Sequence, residues 1–332
     1  MPKVVLAEVV PPFFTQQLQA LLGNAELDAI QDTTDEELAR RARDADVLVT
    51  ARAKVDAHTL ALTPGVRFIQ QLAVGYDNLD VDAIRAAGIP AANNPGFNSS
   101  SVAEHTIMLM LVVLHRFVAA HEATCSGGFP TPAFVLANQP HLRELGDETV
   151  GLIGLGNIGR AVAERLKGFK IRVLYFARHR ADQATEAQLD VEYAPFNDLL
   201  ADASIVSLHV PSSAETRHLI GPTELALMQP NSFLINTSRG DLVDQAALRR
   251  ALQDGRLAGA GLDVLEDEVS EINPFADLPQ VVVTPHSAGV SRTSMPRALR
   301  LAAANIDRFL CGEPVANLVT GDRLPRQIAV GQ

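Results

Sequence analysis

The chain has 332 residues, 47% hydrophobic and 20% charged, a composition that excludes a disordered protein and suits about two globular domains. Its formal net charge of −11 argues against nucleic acid or an anionic membrane as the main partner, so an anionic substrate would need positive charge concentrated in its own site. Two cysteines, Cys125 and Cys311, stand in no CxxC or metal-ligand spacing, which argues against a disulfide framework and fits a reducing cytoplasm.

The first hundred residues alternate strands and helices. Residues 4–9 form an apolar run of buried-strand type, too short for a signal-peptide core and without a small-residue cleavage site. Residues 13–22 have helical spacing, 35–42 read as a charged helix, and 46–50 and 66–72 as further strands. The turn-like Gly75-Tyr-Asp-Asn78 follows, and then a helix over 80–87 stopped by Gly88. This rhythm predicts a parallel sheet. Ser99-Ser-Ser101 then precedes a long apolar helix expected over 102–120, with Ser101 and Glu104 spaced as a capping box. Its longest apolar stretch, 107–114, is too short to span a bilayer. Residues 127–140 read as a Gly- and Pro-rich loop, and a last helix is expected over 291–310, followed by a polar tail.

Between these, six apolar runs each end in residues suited to a dinucleotide or a keto acid. The ends are Gly154-Leu-Gly156-Asn-Ile-Gly159, Ala177-Arg178, His209-Val-Pro211, Thr237-Ser-Arg239-Gly240, Asp263, and Thr284-Pro-His286. In a parallel α/β sheet, ligands bind outside the carboxyl ends of the strands, so these ends should line one crevice. The expected fold is α/β, with two Rossmann-like or flavodoxin-like parallel-sheet domains. A discontinuous substrate-binding domain would comprise 1–99 plus 290–332, and a dinucleotide-binding domain 100–289. The helices 102–120 and 291–310 would be the crossings, and substrate would bind in an interdomain cleft.

A glycine triplet alone is weak, but here it follows an apolar strand and opens an amphipathic helix at 160–167. The glycines permit a tight turn and close approach of the pyrophosphate, and the helix N-terminus offers unpaired N–H groups. The second strand should end in an acidic residue if the adenosine ribose carries free hydroxyls. Ala177 stands there instead, followed by Arg178-His179-Arg180, a run suited to a 2′-phosphate. That reads as NADP(H) preference with NAD(H) possible. The alternative is a solvated cluster, with Asp182 as a carboxylate slightly out of register.

His286 is a candidate proton donor to a carbonyl, since imidazole titrates at about pH 6.5. An adjacent carboxylate favours imidazolium, the form needed in an acid, and Glu266, Asp267 and Glu268 are all candidates by spacing. Arg239 could fork onto a substrate carboxylate or carbonyl oxygen. Of the other histidines, His58, His115, His121, His141, His179 and His218 read as solvated and His105 as structural.

Taken together, Gly75-Tyr-Asp-Asn-Leu-Asp80, Val102-Ala-Glu-His105, Gly154-Leu-Gly-Asn-Ile-Gly159, Asn236-Thr-Ser-Arg-Gly240, Gly261-Leu-Asp-Val264 and Thr284-Pro-His286 resemble the D-isomer-specific 2-hydroxyacid dehydrogenases over nearly the whole chain. The resemblance implies that Arg239, Glu268 and His286 are the catalytic Arg, Glu and His. It also implies that backbone amides at Val74-Gly75 hold the substrate carboxylate beside Arg239 and His286. Cofactor contacts by resemblance fall on Gly154, Gly156, Asn157, Ile158, Gly159, the 177–180 turn, His209, Pro211, Thr216, Thr237, Ser238, Arg239, Asp263, His286 and Ala288, with Asp263 facing the nicotinamide carboxamide. Ala177-Arg178 is more like the NADP-using glyoxylate and hydroxypyruvate reductases. Glu268 disfavours formate dehydrogenase, which carries Gln there, and Val74 disfavours phosphite dehydrogenase, which carries Lys nearby.

The expected activity is hydride transfer between NADP(H) and a small 2-keto acid or D-2-hydroxy acid such as glyoxylate or hydroxypyruvate. The alternatives are an NAD-linked enzyme for another acid, phosphoglycerate-like, and a dinucleotide-sensing interaction module like the C-terminal-binding-protein corepressors. Those corepressors carry extra tails, whereas this chain is expected to end about where the fold ends. A homodimer through residues 102–145 is implied by resemblance, covering Phe129, Phe134, Val135 and Leu136. Pocket size would depend on side chains such as Arg52, Leu72 and Tyr76.

Overall fold

The computed structural model describes residues 1–125, 142–268, 270 and 272–321. The chain divides into two compact units, Met1–Asn98 with Ser291–Gln332, and Ser99–Val290.

The first unit opens with β1 (Lys3–Leu6), α1 (Pro12–Gln19), β2 (Glu26–Ala29), α2 (Asp35–Ala42), β3 (Val47–Thr50), α3 (Ala57–Leu62), β4 (Phe68–Gln71), α4 (Val81–Ala86) and β5 (Ala91–Ala92). The strands pair in parallel in the order β2-β1-β3-β4-β5, which is flavodoxin-like. β3 and β4 are buried at every position, as a sheet covered on both faces requires. β2 has no counterpart in the sequence reading, because Glu26-Leu-Asp-Ala is a partly exposed edge strand without a clean apolar run. The α2 start is set by Thr34, whose hydroxyl accepts from the Glu37 amide, with acidic residues in the first turn and Arg40 and Arg41 in the last.

The second unit contains α5 (Ser99–Leu114), α6 (Phe117–Cys125), β6 (Thr149–Ile153), α7 (Asn157–Leu166), β7 (Arg172–Phe176), α8 (Gln183–Leu189), β8 (Glu192–Tyr193), α9 (Phe196–Asp202), β9 (Ile205–Leu208), α10 (Pro222–Leu227), β10 (Ser232–Asn236), α11 (Gln245–Gln253), β11 (Leu257–Leu262) and β12 (Val281–Val283). All pair in parallel, in the order β12-β11-β10-β9-β6-β7-β8. From β8 back to β11 this is the Rossmann order, extended by β12. One apolar cluster, with Leu199, Leu225 and Leu248, packs on one face of the sheet, and another, with Leu109, Val162 and Leu166, on the other.

The single helix expected over 102–120 is two. α5 starts at Ser99, and Glu104 accepts from Ser100 Oγ and Arg165 Nη2. The chain breaks at Arg116, whose φ is 47°, and α6 leaves at 66°. Sequence periodicity misses this because the apolar pattern runs on, whereas burial does not: α5 buries eight side chains and α6 none. No single helix among the described residues is long and apolar enough to cross a membrane. The whole of the expected 127–140 loop, with Phe129, Phe134, Val135 and Leu136, and His141 lie outside the described residues.

The chain returns to the first unit as α12 (Ser294–Leu310), which buries Leu299, Ala302, Ile306 and Phe309 in the core holding Val4, Leu6 and Phe68. Asn305 ties it down, donating to Gln70 Oε1 and the Ala316 carbonyl, both at 3.1 Å. Leu72 is buried in that core, while Arg52 and Tyr76 are exposed.

Candidate active site

Because the seven strands are parallel, their carboxyl ends lie along one edge of the sheet. In order along it stand His286 beyond β12, Asp263 beyond β11, Arg239 beyond β10, His209 beyond β9, Gly154 beyond β6 and Ala177 beyond β7. The candidate catalytic residues thus follow three neighbouring strands, and the candidate dinucleotide residues the next three.

At the catalytic corner the organising group is Asp263, a carboxylate only 1% exposed. It accepts from the Thr284 hydroxyl at 2.6 Å and from the Ser287 and Ala288 amides at 2.9 and 2.8 Å. His105 on α5 backs this up, its Nε2 lying 2.9 Å from the Thr284 hydroxyl. These bonds shape the turn that carries His286, whose own amide donates to the Asp263 carbonyl. His286 sits in the left-handed region with φ 50°, a conformation that costs a non-glycine residue free energy and persists where surroundings impose it. Its Nδ1 lies 2.8 Å from Glu268 Oε2. A carboxylate only accepts, so Nδ1 carries the donated hydrogen and Nε2 is the nitrogen that can serve a substrate. Of the three candidate acids it is therefore Glu268 that touches His286. Glu266 contacts Arg217 and His218 instead, and Asp267 Oδ1 accepts from the Ser270 amide.

Arg239 follows a turn built by Asn236, which is 1% exposed. Its side-chain amide donates to the Arg239 carbonyl at 2.8 Å and its oxygen accepts from the Ser238 amide at 3.0 Å. The Arg239 guanidinium is half-buried and donates to the Ser238 carbonyl. Gly240 comes next for a steric reason: a Cβ there would lie 1.9 Å from the Leu265 carbonyl oxygen. The loops carrying Arg239 and Glu268 can touch only because that side chain is missing. Thr237 is buried and bonded to Thr106 of α5 at 2.9 Å, and Ser238 Oγ donates to the Val210 carbonyl.

The residues at β6 and β9 fit a dinucleotide. Gly154 has φ 106°, and a Cβ on it would lie 2.5 Å from the His209 carbonyl oxygen. A Cβ on Gly159 would lie 2.2 Å from the Gly154 carbonyl, whereas one on Gly156 would meet open space. Gly156 also caps α7 with no side-chain acceptor on the first-turn amides, which leaves the helix end, with Asn157 and Ile158, able to take a pyrophosphate. β6 and β9 are adjacent in the sheet while β7 lies on the other side of β6, so this is the switch point of the fold. Burial pushes the His209 imidazole down to about 4, so the ring is neutral at neutral pH, with Nε2 at 2.9 Å from Ser207 Oγ. Thr216 Oγ1 donates to the Pro211 carbonyl at 2.8 Å, closing that loop.

At the ribose corner the structure separates the three basic side chains. Arg180 is held by Glu186 through two bonds of 2.8 and 3.0 Å and lies over the Tyr193 ring, so it does not stand with the other two. Arg178 is 79% exposed and faces Glu215 at 3.4 Å. His179 is exposed. Asp182 caps α8, accepting from the Thr185 amide at 2.7 Å.

In the first unit, the turn after β4 has both carbonyls engaged. Asn93 donates to Val74 at 2.6 Å and Gln71 to Gly75 at 2.8 Å. The Val74 and Gly75 amides donate to no acceptor among the described residues.

Sequence reasoning missed the roles of Asn236 and of the Arg217–His218–Glu266 group. Asn at a strand end is a turn signal, but nothing in the sequence pairs residues 217 and 266. His218, read as solvated, is 2.8 Å from Glu266.

Residues 107–288 match the D-isomer specific 2-hydroxyacid dehydrogenase, NAD binding domain family. A glyoxylate reductase of Thermococcus litoralis is 39% identical over 294 residues, spanning 86% of this chain and 87% of that one. In structure the chain is similar to D-lactate dehydrogenase of Aquifex aeolicus complexed with NAD and lactic acid, with TM-score 0.82, 27% identity and coverage of 97% and 100%. It is also similar to an acyclic imino acid reductase in complex with NADPH and D-Arg, with TM-score 0.81, 27% identity and coverage of 96% and 99%. The chain belongs to the D-isomer-specific 2-hydroxyacid dehydrogenase family and is an NAD(P)-dependent dehydrogenase acting on a CH–OH group.

Proposed function

We propose that this enzyme reduces a small 2-keto acid of the glyoxylate or hydroxypyruvate kind to the D-2-hydroxy acid, with NADPH preferred. The observation that carries the reading is the 2.8 Å contact of His286 Nδ1 with Glu268, in a loop packed against the Arg239 turn through Gly240. The bound cofactor supplies the hydride for the carbonyl carbon. His286 Nε2 gives the proton to the carbonyl oxygen, and the Glu268 carboxylate, accepting from Nδ1, fixes the ring so that Nε2 faces the substrate. The Arg239 guanidinium takes the substrate carboxylate or carbonyl oxygen, supplying positive charge in a chain of net charge −11. The Val74 and Gly75 amides, in a turn whose carbonyls are already engaged, are suited to an anionic group such as a substrate carboxylate. Asp263 holds the turn on which His286 stands, and Ala288 belongs to that turn through its amide.

Ala177 offers no acceptor for two ribose hydroxyls, and the exposed Arg178 can meet a 2′-phosphate. Its contact with Glu215 joins two side chains each 79% exposed, which holds Arg178 only weakly. Homodimerisation is part of the proposal. Met108, Phe117 and Val118 of α5 and α6 are 41%, 57% and 38% exposed, and Met108 lines an open surface groove with Glu104, Ile107, Leu111, Val112 and Arg165. A panel of 2-keto acids run with NADH and NADPH in parallel tests the reading. The fastest turnover is expected on a small unbranched acid with NADPH. No turnover of any 2-keto acid with either cofactor would defeat it.

A further inference from the structure

The loop carrying Glu268 is anchored at Glu266, two residues before it, and the anchor comes from the loop after β9. Arg217 Nη2 donates to Glu266 Oε1 at 2.9 Å, and His218 Nε2 lies 2.8 Å from the same oxygen. The Glu266 amide donates to Gln245 Oε1 at 3.2 Å, and the preceding Leu265 carbonyl packs against Gly240. Glu266 is therefore gripped through both carboxylate and backbone. The gripping loop is itself tied down. The His218 amide donates to the Asp241 carbonyl at 2.8 Å, and Ser212 Oγ donates to Asp241 Oδ2 at 2.6 Å.

His218, like His286, has left-handed backbone, with φ 51° against 50°. Two histidines in the same sparsely populated conformation thus hold two glutamates of one short loop, His218 on Glu266 and His286 on Glu268. The outer pair carries little stability, since the Arg217, His218 and Glu266 side chains are 55%, 38% and 28% exposed. Its plain effect is geometric. A carboxylate must sit within about 2.6–3.2 Å of the imidazole it supports, and a loop free to shift by an ångström loses that contact.

We propose that Glu266 is a positioning residue: clamped by Arg217 and His218, it sets the Glu268 carboxylate against His286. The same clamp joins the 211–218 loop, which holds the candidate cofactor contacts Pro211 and Thr216, to the loop of the candidate acid partner. The inference rests on the site reading above, and a double-mutant cycle separates the two. Glu266→Ala should lower kcat for keto-acid reduction by about 10-fold at saturating cofactor, with KM within about 2-fold. Glu266→Gln keeps an oxygen for Arg217 and should restore kcat to within about 3-fold of wild type. In a Glu268→Gln background, Glu266→Ala should cost less than about 2-fold, because the group it positions is already gone. If Glu266→Ala does not fold, His218→Asn replaces it, since Asn tolerates left-handed backbone and is too short to reach Glu266.

An equal loss in both backgrounds overturns the positioning role while leaving the site reading intact. So does an unchanged kcat with only weakened dinucleotide binding, which would confine the clamp to the 211–218 loop. A Glu268→Gln enzyme as fast as wild type overturns the site reading, and the inference with it.

Discussion

The two ends of one sheet edge are built differently. At the β10–β12 end, the Asp263 carboxylate is 1% exposed and accepts from Thr284, Ser287 and Ala288. At the β7 end, Arg178 is 79% exposed and pairs with an equally exposed Glu215. The difference fits the proposed tasks. Proton transfer needs a donor held to a fraction of an ångström, which takes a buried, fully bonded support. Telling a phosphate from a hydroxyl needs only net charge of the right sign within reach, which a mobile arginine can supply. Changes to the buried support at the first end should therefore cost stability and rate together, and changes at the second should redirect preference and leave the fold alone.

The sharpest way to break this contrast is Asp263→Ala. Three donors lose their acceptor, two of them backbone amides, and buried unsatisfied groups cost about 1–3 kcal/mol each. The expected loss is about 3 kcal/mol or more by urea denaturation, with activity abolished. A loss below about 1 kcal/mol would mean that water replaces the carboxylate and that the corner is less rigid than it looks.

His286→Ala should lower kcat by about 10²-fold or more, since the proposed general acid is removed. The side chain is 36% exposed, so thermal unfolding should hardly move, which separates the proton donor from its support. A variant reducing glyoxylate or hydroxypyruvate at the wild-type rate would remove His286 from the mechanism.

The ribose end should behave differently. Arg178→Ala with Ala177→Asp should shift kcat/KM from NADPH toward NADH by about 10- to 100-fold, the worth of a charge-assisted bond, at unchanged melting temperature. Equal or better wild-type kcat/KM with NADH would show that Arg178 is only a surface charge.

Between the two ends lies His209, and here acid is the probe. In the folded chain its ring takes a proton only at about pH 4, whereas an unfolded histidine does so at about 6.5. Between those values the unfolded state binds more protons, so stability present above about pH 6.5 declines as pH falls toward 4. His209→Gln should flatten that decline when urea midpoints are compared at pH 7 and pH 5. A slope identical to wild type would show that other groups carry it.

The smallest effect belongs to Arg180→Ala. Its guanidinium is 60% exposed and already engaged by Glu186, so NADPH affinity should change by less than about 3-fold and stability by at most about 1 kcal/mol. A larger loss of NADPH affinity would return Arg180 to the phosphate site.

Much of the architecture was legible because it rests on local chemistry. Apolar runs bounded by turn residues mark the strands, and the glycine triplet marks the dinucleotide turn because, at Gly154 and Gly159, only a missing side chain fits beside His209 and within the turn itself. The β2 edge and the break at Arg116 were not legible. The first lacks an apolar run, and the second interrupts a pattern that continues in sequence although burial stops.

What the sequence by itself determined is the parallel α/β class, most of its strands, and the candidate residue at the end of each of the six runs from β6 to β12 other than β8. Period, turn chemistry and strand-end position are properties of short stretches. What only the tertiary structure decided is which charges meet. It put Glu268, which family resemblance but not spacing singles out among the three acids, on His286, gave Arg180 to Glu186, and brought Arg217 and His218 onto Glu266. Those choices depend on loop packing at the ångström scale. Gly240 against Leu265 and Asp263 beneath the His286 turn set them, and residue spacing does not encode such contacts.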